Sequence, residues 1–225
     1  MKTFNTYVNE WKLTNDNNSN VGYRYKHHPL NKDELIDIIV EKIRVSPINP
    51  DLSDIDTINI TDFSHLFDTI AKRFYDELII ETLDLKSWNT SNATEASNMF
   101  YEMYSLKTVK FSRLFDLSNV EDIRSMFFHC TSLEYVDVSD WNVKERTIYI
   151  NHMFNGCEKL KRVDGLEKWN VSCVQYTNDM FRDCKSLQYI NIDSWSDKLK
   201  RLRNDNGMFY GCSKSVVPKW WDPEL

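Results

Sequence analysis

Apolar residues fall along this chain in two rhythms. Between Asn31 and Val45 they recur at helical spacing, as Leu35, Ile36, Ile38, Ile39, Val40 and Ile43. Asn31 is a capping residue with Glu34 three positions later, so the pattern predicts an amphipathic helix over about 32–45. Pro47 and Pro50 stop it. Beyond this point a longer period takes over. The dipeptide Met-Phe stands at Met99-Phe100, Met126-Phe127, Met153-Phe154, Met180-Phe181 and Met208-Phe209, in steps of 27, 27, 27 and 28 residues. Three residues after each Phe comes Met103, then Cys130, Cys157, Cys184 and Cys212. Six after come Leu106, Leu133, Leu160 and Leu187, and nine after come Val109, Val136, Val163 and Ile190. Eleven after come Phe111, Val138 and Ile192, with Gly165 as the exception. Each unit is therefore expected to hold a short strand such as Leu133 to Val138 and a turn around Ser139-Asp140-Trp141-Asn142. A short helical turn should carry Met-Phe, with Met99, Phe100 and Met103 as one apolar stripe.

A second signature lies twelve residues before the Phe. Trp88-Asn89-Thr90-Ser91-Asn92-Ala93 is matched without gaps by Phe115-Asp116-Leu117-Ser118-Asn119-Val120 and by Trp169-Asn170-Val171-Ser172-Cys173-Val174. Trp141-Asn142-Val143 and Trp195 fit with one or two extra residues. Upstream, Ile55-Asp56-Thr57-Ile58-Asn59-Ile60 stands in the same relation to Phe67, which makes a degenerate first unit 33 residues from the next. The extra six residues fall within Ala71 to Thr82. A fixed period of this length is the mark of a stacked array, in which a unit too small to bury its own stripe buries it against its neighbours.

The units resemble the BspA-like leucine-rich-repeat family, whose pattern runs roughly W-N-V-S-N-V-x-x-M-x-x-M-F-x-x-C-x-x-L-x-x-L-D-V-S. The stretch from Ser125 to Val143 follows it nearly position for position, and the resemblance covers about residues 51 to 212. It implies an α/β chain: a leucine-rich-repeat-like solenoid of about six units of about 27 residues, with an N-terminal helical cap. Family members are often bacterial surface proteins of adhesion, and similar repeats occur in bacteriophage proteins. The domain reading is a capping region over 1–50, repeats over 51–212 and a C-terminal cap or tail over 213–225, where Trp220-Trp221 serves either as a cap or as a docking tail.

Composition narrows the function. A net charge of -6 with no concentration of Lys and Arg argues against a nucleic-acid surface. Met1 to Trp11 carries one Lys and no run of about 7 to 15 apolar residues, so no secretory signal is readable. The expectation is a chain that is cytoplasmic as synthesised, with a virion or a cell surface reached by another route as alternatives, and with no membrane insertion.

The repeated Cys reads as a core ladder of small apolar side chains. Cys173 stands outside it at a turn position where other units have Asn. His129 and His152 with Cys130 and Cys157 could be drawn as a zinc set, but those Cys obey the repeat whether or not His is near. His27-His28 reads as a loop pair. There is no Gly-rich phosphate loop, G-x-S-x-G elbow or H-E-x-x-H helix. No catalytic residue, metal or cofactor is expected.

The candidate site is the outer face of the strands, where alternate residues project in columns. The column eight after each Phe reads Thr108, Tyr135, Arg162, Tyr189, and the column ten after reads Lys110, Asp137, Asp164, Asn191. Tyr and Arg are strong interface anchors. Tyr135, Arg162, Tyr189, Lys110, Asp137 and Asp164 are therefore assigned to a protein partner. The expected function is a non-enzymatic adhesion or interaction module, against a structural part of a bacteriophage particle or an enzyme without a recognisable motif.

Overall fold

A computed structural model describes residues 25–74, 78–143, 146–199 and 202–221. The Met1 to Trp11 segment, the end of the tail from Asp222 and part of the Ala71 to Thr82 insertion lie outside these residues. Two α-helices come first, α1 (Lys32–Val45) and α2 (Leu66–Lys72). Five strands follow: β1 (Thr82–Asp84), β2 (Thr108–Lys110), β3 (Tyr135–Asp137), β4 (Arg162–Asp164) and β5 (Tyr189–Ile190). They form one parallel sheet in sequence order, with Val136 opposite Val163 and Val163 opposite Ile190. Two short 3-10 turns, Leu166–Lys168 and Asp193–Trp195, lie between and after the last strands.

Helix α1 forms where its capping residues predict. The Asn31 side chain accepts from the Glu34 N–H at 3.0 Å, and the Glu34 carboxylate accepts from the Leu30 N–H at 2.9 Å. Leu35, Ile36, Ile39, Val40 and Ile43 are buried. Lys42 reaches the carboxylate of Asp54 at 2.5 Å, and Lys32 bonds Asp62 and the carbonyl of Ser64. These contacts tie the helix to the first layer.

The expected α/β, leucine-rich-repeat-like solenoid of helix-bearing units under a helical cap is corrected by this architecture. What the structure contains is a single five-stranded parallel sheet of strands two or three residues long. Among the described residues its α-helices are confined to 14 residues in α1 and 7 in α2. The Met-Phe segments, expected as helical turns, are chains of hydrogen-bonded turns instead.

The cause is local. Each such segment carries two residues in the left-handed region: Asn98 and Glu102, Ser125 and His129, His152 and Gly156, Asp179 and Asp183, Gly207 and Gly211. A left-handed residue every fourth position breaks the run of right-handed angles that a helix needs. The amides freed from helix bonding turn outward to the next layer. Ser125, Phe127 and His129 donate to the carbonyls of Asn151, Met153 and Asn155 at 3.0, 2.9 and 2.7 Å. The two following layers repeat this, as in Phe154 to Met180 at 2.8 Å and Phe181 to Met208 at 2.8 Å. The layers are thus joined by backbone bonds on two faces, the sheet and this turn face.

Between those faces lies the core. Phe67, Phe100, Phe127, Phe154, Phe181 and Phe209 stack ring on ring, with centroids 4.9 to 5.5 Å apart. All six are buried, and truncating one such ring to Ala costs a core roughly 3–5 kcal/mol. Trp141, Trp169 and Trp195 form a shorter parallel stack at 6.0 and 6.3 Å. Leu106, Leu133, Leu160 and Leu187 complete each layer from the strand side.

Prolines stand near both ends of the sheet. The Glu81 N–H donates to Ile48, which stands between Pro47 and Pro50. At the far end Pro218 occupies the repeat position of Val163 and Ile190, and no strand joins β5 beyond it among the described residues. Proline lacks the N–H that a sheet interior requires. Val216 and Pro218 are buried there, and Trp221 meets Phe209 edge-on at 5.4 Å. Trp220 and Trp221 both pack against the core.

Candidate functional site

The strand-face columns come together as a bonded cluster. Parallel register places Thr108, Tyr135, Arg162 and Tyr189 side by side across β2 to β5. Inward neighbours Val109, Val136 and Val163 are buried, which fixes the alternate residues to the outer face. Asp164, two residues after Arg162, joins the row. The Tyr135 hydroxyl donates to Asp164 Oδ2 at 2.9 Å, and Arg162 Nε donates to Asp164 Oδ1 at 2.5 Å. The Arg162 guanidinium lies over the Tyr189 ring, 5.3 Å from its centroid. One carboxylate thus holds a tyrosine and an arginine from adjacent strands, and the arginine holds a second tyrosine.

Burial, together with the bond to Asp164, pushes the Tyr135 phenol up to about 12. It therefore stays a donor at neutral pH. Asp164 bears in turn on the Arg162 guanidinium and raises it above its ordinary value. Tyr135 and Tyr189 nevertheless keep 40% and 49% of their residue surface open, which leaves area for a partner.

Lys110 and Asp137 share the face without joining this cluster. Lys110 pairs in register with Asp84, and Asp137 accepts from the Ser139 N–H at 2.9 Å while standing opposite Asp164. Beside them a column of ion pairs runs along the stack, Glu81 with Lys107 and Glu134 with Lys161, each at 2.7 Å. The columns follow from the repeat. The bridging role of Asp164 does not, because it depends on which rotamers meet across neighbouring strands.

The cysteines are placed differently from any metal set. The thiols of Cys130, Cys157, Cys184 and Cys212 donate to the carbonyls of Phe100, Phe127, Phe154 and Phe181, at 3.0, 3.0, 3.1 and 3.0 Å. Each thiol thus bonds the layer before its own. Burial pushes the first three well above the ordinary thiol value and Cys212 up to about 11. Cys173 is half-buried.

The histidines lie on the turn face and elsewhere. His129 stacks on Phe128 at 4.2 Å, and His152 lies between the side-chain amides of Asn155 and Asn178 at 3.3 and 3.2 Å. His27 and His28 each face a carboxylate, those of Asp54 and Asp56. Among the described residues no three His, Cys, Asp or Glu side chains gather as a metal site, and no helix is long and apolar enough to cross a membrane.

Five strands in unbroken sequence order, a continuous ring stack and layers bonded through two faces define a protein of stacked repeats. The repeat carries its family with it. The chain belongs to the family described as Mycoplasma protein of unknown function, DUF285, which matches residues 42–113 and 107–220. No curated protein and no solved structure matches it.

Proposed function

We propose that the chain is a non-enzymatic protein-binding module whose partner meets the outer face of the sheet. The observation that carries this reading is the Tyr135–Asp164–Arg162–Tyr189 cluster, which fixes two half-open tyrosines and an arginine before any partner arrives. Side chains already held in one rotamer lose little entropy on association, and Tyr and Arg are the residues that most often dominate an interface. The close agreement of Ser125 to Val143 with the BspA-like pattern supports a role in adhesion or interaction at a bacterial surface.

The test compares the full chain with a Tyr135→Ala, Arg162→Ala, Tyr189→Ala variant as baits in affinity capture from the source proteome. None of the three side chains is part of the buried core, so the variant keeps the melting transition of the parent to within a few degrees. A partner retained by the parent and lost from the variant supports the strand face. Equal retention of every partner rejects it.

A further inference from the structure

The dipeptide Asn-Gly occurs twice in the chain, at Asn155-Gly156 and Asn206-Gly207. Its asparagine side chain is open to attack by the following main-chain nitrogen, because glycine has no Cβ to crowd the approach. The stack treats the two differently. Asn155 is 8% exposed, its side-chain amide meets His152 Nδ1 at 3.3 Å, and the Gly156 N–H donates to the Arg182 carbonyl of the next layer at 2.8 Å. Asn206 is exposed, and among the described residues nothing bonds its side-chain amide. Gly207 is the left-handed corner, φ 70°, of a turn closed by the Met208 N–H on the Asp205 carbonyl at 3.1 Å. Its own N–H meets no acceptor among the described residues. The reason is its place in the stack. The matching amides of Asn98, Ser125, His152 and Asp179 each donate to the following layer at 3.0 Å, the last of them to the Asn206 carbonyl, and Gly207 stands in the final layer of that series.

We propose that Asn206 is a modification site, where the side-chain amide is lost through a cyclic imide while Asn155 stays intact. The Gly207 nitrogen attacks Cγ of Asn206, and the new N–Cγ bond closes a ring. The Cγ–Nδ2 bond breaks, and the side-chain nitrogen leaves as ammonia with the proton from Gly207. Water then opens the ring at either carbonyl and gives an aspartyl or an isoaspartyl residue, with nothing oxidised or reduced. At Asn155 the same attack is blocked, because the Gly156 N–H is held by a carbonyl and the side chain is held by His152. In the isoaspartyl product the main chain runs through Cγ and is one carbon longer. The carbonyl that accepts from Asp179 becomes part of a free carboxylate, close to the Asp179 carboxylate that already lies against Gly207. The longer chain no longer fits the register in which Thr177, Phe181 and Asp183 donate to Asn204, Met208 and Tyr210. Modification thus loosens the last layer as a local unit and leaves the central layers closed.

The test ages the full chain in mildly alkaline buffer, digests it, and follows both Asn-Gly peptides by mass and by enzymatic methyl labelling of isoaspartyl groups. In the folded chain Asn206 should convert many-fold faster than Asn155. In denaturant, where only the shared dipeptide acts, the two rates should converge. Asn206→Gln should remove the fast reaction without moving the melting transition, because the native side chain is exposed and unbonded. The converted chain should lose exchange protection at the Asp179 and Phe181 amides, and the Asn206→Gln chain aged beside it should keep that protection. Equal rates in the folded chain, or an Asn206 that reacts only in denaturant, overturn the modification site. A converted chain with full protection at Asp179 and Phe181 overturns the loosening of the last layer.

Discussion

Ser125 holds a φ of 53°, a conformation that costs an L-residue about 1–2 kcal/mol and glycine almost nothing. The turn face accepts that cost at residues of many kinds, Asn98, Glu102, His152 and Asp183 among them, because the amides it releases bond the next layer. Ser125→Gly should therefore raise stability by roughly 0.5–1 kcal/mol once the entropy of the added glycine is deducted. The reverse change, Gly156→Ala, should lower it by at least about 1 kcal/mol. A methyl there would adopt a left-handed angle and sit 2.1 Å from Cδ2 of His129. Chemical denaturation of the two variants measures both effects. These same positions explain what the sequence hid. Ser, His, Asp and Glu are ordinary helix-surface residues by type, so nothing in Ser125 to His129 announces two left-handed angles. Gly156, Gly207 and Gly211 were the available signal, since three of the ten positions carry the residue that prefers them.

At the scale of the recurring elements, the Phe stack and the cysteine ladder were the most legible parts of the molecule. Strict recurrence of one residue type in a stack leaves it a single environment, and Cys130, Cys157 and Cys184 are fully buried where the repeat puts them. Helix α1 was equally plain, because Asn31 and Glu34 cap it locally. The helical turn at Met-Phe was misread because its i, i+1 and i+4 apolar spacing suits a helix and this turn alike. Burial has a consequence for the ladder at high pH. Thiols of the unfolded chain ionise near about 8.5, whereas those of the folded chain are held higher, Cys212 up to about 11. The folded state thus keeps protons that the unfolded state gives up. The ladder's contribution is whole below about pH 8.5 and is lost as pH rises through the folded values. Melting temperature should fall steeply above about pH 9, and Cys157→Ala should flatten that fall while lowering stability at pH 7.

Across the whole molecule, stability is a chain of neighbour contacts, and the two ends can open separately. The N-terminal end rests on carboxylates. Bonds from Ser53 hold Asp51 below its ordinary value. Burial pushes Asp54 and Asp62 up, but bonds from Lys42 to the first, and from Ser64 and Lys32 to the second, take both below it. Groups lowered on folding stabilise above their unfolded value and lose that effect as pH falls through the folded one. Acid below about pH 4 should therefore loosen α1 before the central layers, which amide exchange at pH 3 and pH 6 would follow. Asp54→Asn should reproduce the loosening at neutral pH, at a local cost of roughly 3 kcal/mol, because Lys42 loses the partner it is buried against. Uniform loss of protection from α1 to β5 would count against such independence.

A period of 27 residues, kept in register through both the sheet and the turn face, also makes the molecule a ruler. Gain or loss of one whole layer would move its ends by about 4.8 Å and leave every remaining bond pattern intact. Gain or loss of half a layer would break them all. Length in this architecture can be adjusted only in whole steps, so relatives of this chain that differ in size should differ by multiples of one repeat, with the two end segments carried unchanged.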